Sequence, residues 1–134
     1  MFLKLLILTI LIHIIDDFGI QTVSGLNLLK QKQWWINECY ALKKMNGIDV
    51  TKYRYDYIIA VFIHALKWSI MISLPAMYFG ANIWLIADLI LVNTFIHGMI
   101  DHYKCNMYKI TLIQDQLIHL GQIILSVIVF YFAI

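Results

Sequence analysis

The stretch YIIAVFIHALKWSIMISLPAMYFGANIWLIADLILVNTFIHGMI, residues 57–100, decides the fold. Apart from its histidines it holds one lysine and one aspartate, Lys67 and Asp88, in a run of almost continuous hydrocarbon. Each half is close to the roughly 20 residues that cross about 30 Å of bilayer core. The halves meet at FGAN (79–82), which is too short for anything but a tight helical hairpin. Pro75, the only proline of the chain, falls late in the first half and is expected to kink it.

Working outward, two more apolar runs flank this hairpin. The expected transmembrane spans are about 1–18, 57–79, 81–100 and 117–134, with longer connections at about 19–56 and 101–116. Lipid offers bare backbone no hydrogen-bond partner, so spans of this kind must be helices. Composition agrees: 62% of the residues are hydrophobic and 13% charged, against roughly 45–50% and about 25% in soluble domains. The expected fold is all-α, a polytopic four-helix transmembrane bundle made by a single domain, residues 1–134. A cleaved signal peptide is the other reading of the first span, with TVS before Gly25 as a weak cleavage site. Against it stand His13 and Asp17 on one helical face, which a signal peptide has no use for.

Basic residues set the orientation. Lys30, Lys32, Lys43, Lys44, Lys52 and Arg54 lie in the first long connection and Lys104 and Lys109 in the second, whereas the opposite side has only Lys4. By the positive-inside rule both long loops are expected in the cytoplasm, both termini outside, and the chain in the cell inner membrane. Within the first loop, LNLLKQKQWWINECYALKKM (26–45) mixes leucines and a Trp34–Trp35 pair with lysines. Such a composition suits an amphipathic helix on the inner leaflet, and a solvated connector is the alternative. The net charge of +2 leaves no electrostatic footprint for nucleic acid, and none is expected as a partner. Cys39 and Cys105 form no pair motif and read as reduced thiols.

Histidine and aspartate recur four residues apart in three spans. Span one ends His13-xxx-Asp17, span three ends His97-xxx-Asp101, and span four, running the other way, begins Asp115-xxx-His119. A spacing of four stacks both side chains on one helix face. The reversed order in the reversed helix keeps each histidine about 6 Å deeper than its aspartate, at a rise of 1.5 Å per residue. His64 of span two falls at the same depth. Ionisable groups facing lipid are costly, so these faces are expected to turn inward and share one layer.

Imidazole and carboxylate together suit zinc first, with iron or manganese as alternatives. His13, Asp17, His64, His97, Asp101, Asp115 and His119 are the candidate ligands. Seven exceed the needs of one tetrahedral ion, so the site is expected to hold one or two. Gln21, Asn93 and Gln116 share these faces and are candidates to orient the ligands by hydrogen bonds. Asp16 reads as a solvated cap, and Lys67 with Asp88 as an ion pair deeper in the membrane. The competing explanation of the whole layer is polar glue, His–Asp pairs bonding across helices without any metal.

The pattern H-xxx-DF-xx-Q, an internal H, H-xxx-D-xx-K and DQ-xx-H is carried here by His13, Asp17, Phe18 and Gln21; His64; His97, Asp101 and Lys104; and Asp115, Gln116 and His119. In this the chain resembles a family of small prokaryotic and phage membrane proteins of unknown function. More distantly it resembles the membrane-bound metal-dependent hydrolases induced with the DNA-damage response, a likeness that implies metal-assisted hydrolysis.

The expected function is therefore a metal-dependent hydrolase acting on a phospholipid or another amphiphilic phosphoester at the inner-leaflet boundary. Asp17, Asp101 or Asp115 would serve as general base and Lys104 would hold a phosphate. Two other classes stand beside it: a metal-ion or proton transporter, and a non-enzymatic phage or bacterial membrane interaction protein. The lipid bilayer is the expected partner, and a bundle of four short spans suits a homo-oligomer.

Overall fold

The computed structural model describes residues 1–133, without the side chains of Gln21 and Thr22. It is all-helical, with no strand among the described residues. Four helices form its body: α1 (Phe2–Ile14), α2 (Asp56–Tyr78), α3 (Ile83–Cys105) and α4 (Leu112–Ala133). They pack in a ring in which α1 touches α2 and α4, and α3 touches the same two from the other side.

Three of them, α2, α3 and α4, are long and apolar enough to cross a membrane. Four such spans were expected. The difference lies in α1, whose regular helix is 13 residues long and so about 20 Å at 1.5 Å per residue. Beyond Ile14 the chain widens into a π-helical turn, Ile15–Ile20, before returning to α-helix at Gln21–Ser24.

The FGAN hairpin is built from two capping devices. Gly80, with φ of 84°, takes the left-handed position after α2 that an L side chain resists. Its N–H donates to Met77 O at 3.1 Å and the Ala81 N–H donates to Ala76 O at 3.0 Å, the two bonds of a Schellman motif. Asn82 then accepts from the Trp84 N–H at 2.9 Å and starts α3. Helix α4 opens on a reciprocal box: Thr111 N–H donates to Gln114 Oε1 at 2.9 Å and Gln114 N–H to Thr111 Oγ1 at 3.3 Å.

Both connections expected on one side do lie at one end of the bundle. Asn106, just past α3, donates to Lys30 O at 3.1 Å and accepts from the Lys32 N–H at 2.6 Å, clamping the first loop onto the third helix. The hairpin and the two termini lie at the other end, where Phe2 meets Tyr131 with ring centroids 5.5 Å apart. The amphipathic stretch is not one helix. It breaks into Leu26–Leu29, Lys32–Trp34, a second π-helical turn Trp35–Tyr40, and Ala41–Met45. Asp49 caps the short turn Val50–Tyr53, and hydrogen bonds from the Thr51 hydroxyl and backbone hold its pKa below the usual carboxylate value.

Two boundaries differ from expectation for one reason. Helix α3 continues past 100 to Cys105 and α4 begins at Leu112 rather than near 117. Hydropathy falls at Asp101, Lys104 and Asp115, but the backbone ladder does not stop there. Asp101 therefore stands inside α3 and Asp115 in the first turn of α4.

The interior has two halves. Toward the hairpin end Leu5, Trp68, Ile72, Ala76, Ile86, Ile123, Val127 and Phe130 form an apolar core. Hydroxyls within these helices bond back to the carbonyl four residues earlier: Thr9 to Leu5, Ser69 to Ala65, Ser73 to Ser69 and Thr94 to Ile90. The loop end is polar. On the outer faces large apolar side chains are exposed, among them Ile59, Phe62, Leu91, Phe95, Leu117 and Leu125. A hydrocarbon surround suits such a surface and water does not.

Candidate metal centre

Each body helix delivers one histidine to a shared layer: His13 from α1, His64 from α2, His97 from α3 and His119 from α4. All four are buried, His97 completely so. The rings of His97 and His119 stack with centroids 4.1 Å apart, His64 lies 5.2 Å from His97, and His13 meets His119 edge-on at 6.1 Å. Trp68 forms the floor between this layer and the apolar core. Its ring stacks on His97 at 4.2 Å, and its Nε1–H donates to His13 Nδ1 at 2.8 Å. That bond fixes the His13 tautomer with its proton on Nε2.

The aspartates lie on the loop side of the histidines, as the reversed order in antiparallel helices requires. His97 Nε2 stands 3.7 Å from Asp101 Oδ2, His119 Nε2 3.7 Å from Asp115 Oδ1, and His13 Nδ1 3.8 Å from Asp17 Oδ2. These gaps are too long for hydrogen bonds. Two ligands each about 2.0–2.2 Å from a common ion stand roughly 3.4 Å apart at the tetrahedral angle, so the gaps at His97 and His119 are close to that of two donors able to share one cation, whereas His13 Nδ1 is taken by Trp68. His64 differs: its Nε2 is 2.7 Å from Asp101 Oδ2, a hydrogen bond.

Two triads have their donor atoms within 4.8 Å of one another, His64–His97–Asp101 and Asp101–Asp115–His119. Asp101 belongs to both. The donor set fits a transition metal on a further ground. Both ring nitrogens of His97 and both of His119 are buried without a hydrogen-bond partner, as is Asp115 Oδ1. A neutral imidazole carries one donor and one acceptor, and burying either unpaired costs about 1–3 kcal/mol. Mixed imidazole and carboxylate ligation is that of zinc, iron or manganese.

Lysine completes the layer in a way the sequence did not foretell. Lys30, from the clamped loop, is buried and donates to Asp101 Oδ2 at 2.8 Å, with His64 Nε2 at 3.1 Å. No spacing rule connects residue 30 with residue 101; the only sequence trace is the apolar LNLL before it, which lets the segment settle against the bundle. Lys104 reaches across to Asp115 Oδ2, and Gln116 Nε2 donates to the same oxygen at 3.1 Å and toward Asp17 Oδ2 at 3.5 Å. A polar pocket of about 270 Å³ opens over these groups, lined by Asp17, Asp101 and Asp115, by Lys30 and Lys104, and by Asn27, Gln31 and Gln116 among others.

Other expected residues fall elsewhere. His13 and Asp17 belong to neither triad, although Asp17 lines the pocket. Asn93 bonds to Ser126 Oγ at 2.8 Å and lies within 3.4 Å of the Gln122 amide, so its polar contacts run between α3 and α4. The side chain of Gln21 lies outside the described residues. Asp16 is not a solvated cap: it is fully buried, with Lys67 Nζ 2.7 Å away. Asp88 is exposed, so the expected Lys67–Asp88 pair gives way to Lys67–Asp16. Asp16 stands three residues past the buried His13, a spacing that keeps both on the inward face, where Lys67 meets it.

In comparison with known proteins, no family model matches this chain, no curated protein matches it, and no solved structure matches its fold.

Proposed function

We propose that this protein is a membrane-embedded, metal-dependent hydrolase whose substrate is a phosphoester or other amphiphilic ester at the inner face of the cell membrane. The observation that carries the reading is the fully buried His97–His119 stack, four ring nitrogens without hydrogen bonds set against Asp101 and Asp115. Buried polar atoms in native proteins are nearly always partnered, and a divalent cation would satisfy one nitrogen of each ring, the Nε2 that faces a carboxylate, together with Asp115 Oδ1.

His64, His97 and Asp101 would hold one ion, and Asp101, Asp115 and His119 would hold it or a second. Held there, a divalent ion would supply a bound water of pKa about 7 and a Lewis acid for the ester oxygen. Asp17 lines the pocket outside both triads, in place to take a proton from the attacking water. Gln116 orients the carboxylates of Asp17 and Asp115. Residues 2–24 act as the fourth crossing element, and the lysine-rich end of the bundle faces the cytoplasm.

Hydrolysis is favoured over transport by what lies behind Trp68. A transport path needs polar groups continuing to the far face; the buried Ser69, Ser73, Asn93, Gln122 and Ser126 go only part of the way, and Leu5, Ala76, Ile86 and Phe130 close the interior beyond them. The pocket over the carboxylates is lined from the loop end, which suits a substrate that enters and leaves by one door.

Elemental analysis of detergent-purified protein tests the reading. Stoichiometric zinc, iron or manganese is expected in the wild type, falling at least tenfold in a His97→Ala/His119→Ala variant. Release of p-nitrophenol from an alkyl p-nitrophenyl phosphate is expected to follow the metal and stop on chelation. Wild-type protein purified without chelators and holding no transition metal overturns it.

A further inference from the structure

Lys30 and Lys104 share an arrangement that simple ion pairing does not account for. Each places its ammonium on a carboxylate that also belongs to a metal triad: Lys30 on Asp101 and Lys104 on Asp115. Both line the same pocket of about 270 Å³. A cation between His97 and Asp101 competes with Lys30 for one oxygen, Asp101 Oδ2; at Asp115 the unpartnered Oδ1 faces His119 while Lys104 holds Oδ2, so there a cation weakens the pairing by its charge.

The balance of charge then changes sign. Asp17, Asp101 and Asp115 against Lys30 and Lys104 leave the pocket with one net negative charge. One divalent cation reverses that sign and a second raises it to three positive. The amides of Asn27, Gln31 and Gln116 line the same space and supply neutral donors. Phe18 and Leu112 form part of its wall and are exposed, so the mouth is apolar where the interior is charged.

The geometry points to a cation-gated phosphate site: Lys30 and Lys104 are counter-ions of Asp101 and Asp115 until metal takes Asp101 from Lys30 and weakens the hold of Asp115 on Lys104, and the two ammoniums then together bind the phosphate group of the substrate. This rests on the hydrolase reading and narrows it from esters in general to phosphoesters. Ammonium groups bind phosphate oxygens by charge-assisted hydrogen bonds, and in a partly buried pocket these outweigh their strength in water. The order of events is built in. Without metal the pocket repels a phosphate, and with metal it attracts one.

Equilibrium dialysis with radiolabelled inorganic phosphate tests the inference on metal-free and manganese-loaded protein in detergent. Manganese-loaded wild type is expected to retain phosphate at least tenfold more tightly than the metal-free protein. A Lys30→Met/Lys104→Met variant is expected to keep its manganese, bind it more tightly than wild type, and lose phosphate retention at least tenfold. The Lys30→Arg/Lys104→Arg pair should restore phosphate and serves as the comparison if the methionine pair does not fold. In nanodiscs, phosphatidic acid that displaces the label identifies a lipid headgroup as the source, whereas phosphatidylcholine with or without phosphatidic acid leaving it bound identifies a soluble phosphate; either supports the site. Equal retention with and without metal, or undiminished retention in the folded methionine variant, overturns the inference while leaving the metal centre intact. A wild type that takes up no manganese, zinc or iron removes the hydrolase reading itself.

Discussion

Trp68 does two separable things. Its ring closes the polar layer from below, stacked on His97, and its indole N–H holds His13 by a single hydrogen bond. Trp68→Phe keeps most of the ring and deletes the donor, leaving the buried His13 Nδ1 without the indole N–H. The expected cost is about 1–3 kcal/mol, measured as a lower unfolding free energy in detergent. Metal content should stay near wild type, because His13 stands outside both triads. If metal is lost instead, His13 is a ligand whose orientation the indole controls. At this scale the sequence is a partial guide. The spacing of four and the reversal in α4 place histidines and aspartates in adjacent layers correctly, since both follow from helix geometry alone. Lys30 and Asp16 escape it: one is brought in by a loop through the Asn106 clamp, and the other, three residues past His13, meets Lys67 of a neighbouring helix, a partner that spacing within one helix does not name.

Gly98 of α3 faces Ala65 and Val61 of α2. A Cβ built on Gly98 would lie 3.5 Å from Ala65 Cβ and 3.8 Å from Val61 Cγ1, ordinary contact distances. Gly98→Ala should therefore fold and melt within about 0.5 kcal/mol of wild type or gain slightly, since alanine is the better helix former by about 1 kcal/mol. Gly98→Leu must push the helices apart and should lose about 1–3 kcal/mol. Thermal unfolding of the two variants side by side checks both; a destabilised alanine variant would mean that α2 and α3 approach more closely than this. A second element-scale test is Thr111→Ala, which removes the acceptor half of the box opening α4 and should cost about 1 kcal/mol. Helix identity was legible because apolar runs near membrane length leave no other backbone solution. Helix ends were not, because Asp101 and Asp115 lower hydropathy without interrupting backbone hydrogen bonding. The Schellman glycine at 80 was the exception, a signal carried by one residue whose φ an L side chain resists.

The molecule as a whole is polarised along its axis: an apolar core at the end holding the hairpin and termini, a charged layer at the end holding both loops. For such a body the expected orientation in a membrane is lysines inward, because anionic lipid and the positive-inside bias act in the same direction on the basic residues of 30–54 and on Lys104 and Lys109. The two cysteines report on it directly. Cys39 sits in the first loop and Cys105 at the last turn of α3, both free and half-buried, and both at the loop end. A membrane-impermeant maleimide should label both in inside-out vesicles and neither in intact spheroplasts, with Cys39→Ser and Cys105→Ser variants assigning each signal. Labelling of the two from opposite sides would break the bundle as described, since Asn106 holds their segments together. Labelling of both from outside would keep the fold but turn the pocket to the other face, and the substrate would then come from the outer leaflet. The direction matters for chemistry because the carboxylate pocket opens at that same end. Whichever compartment reaches the thiols would also supply the cation and the ester of the proposed reaction at His97, Asp101 and Asp115.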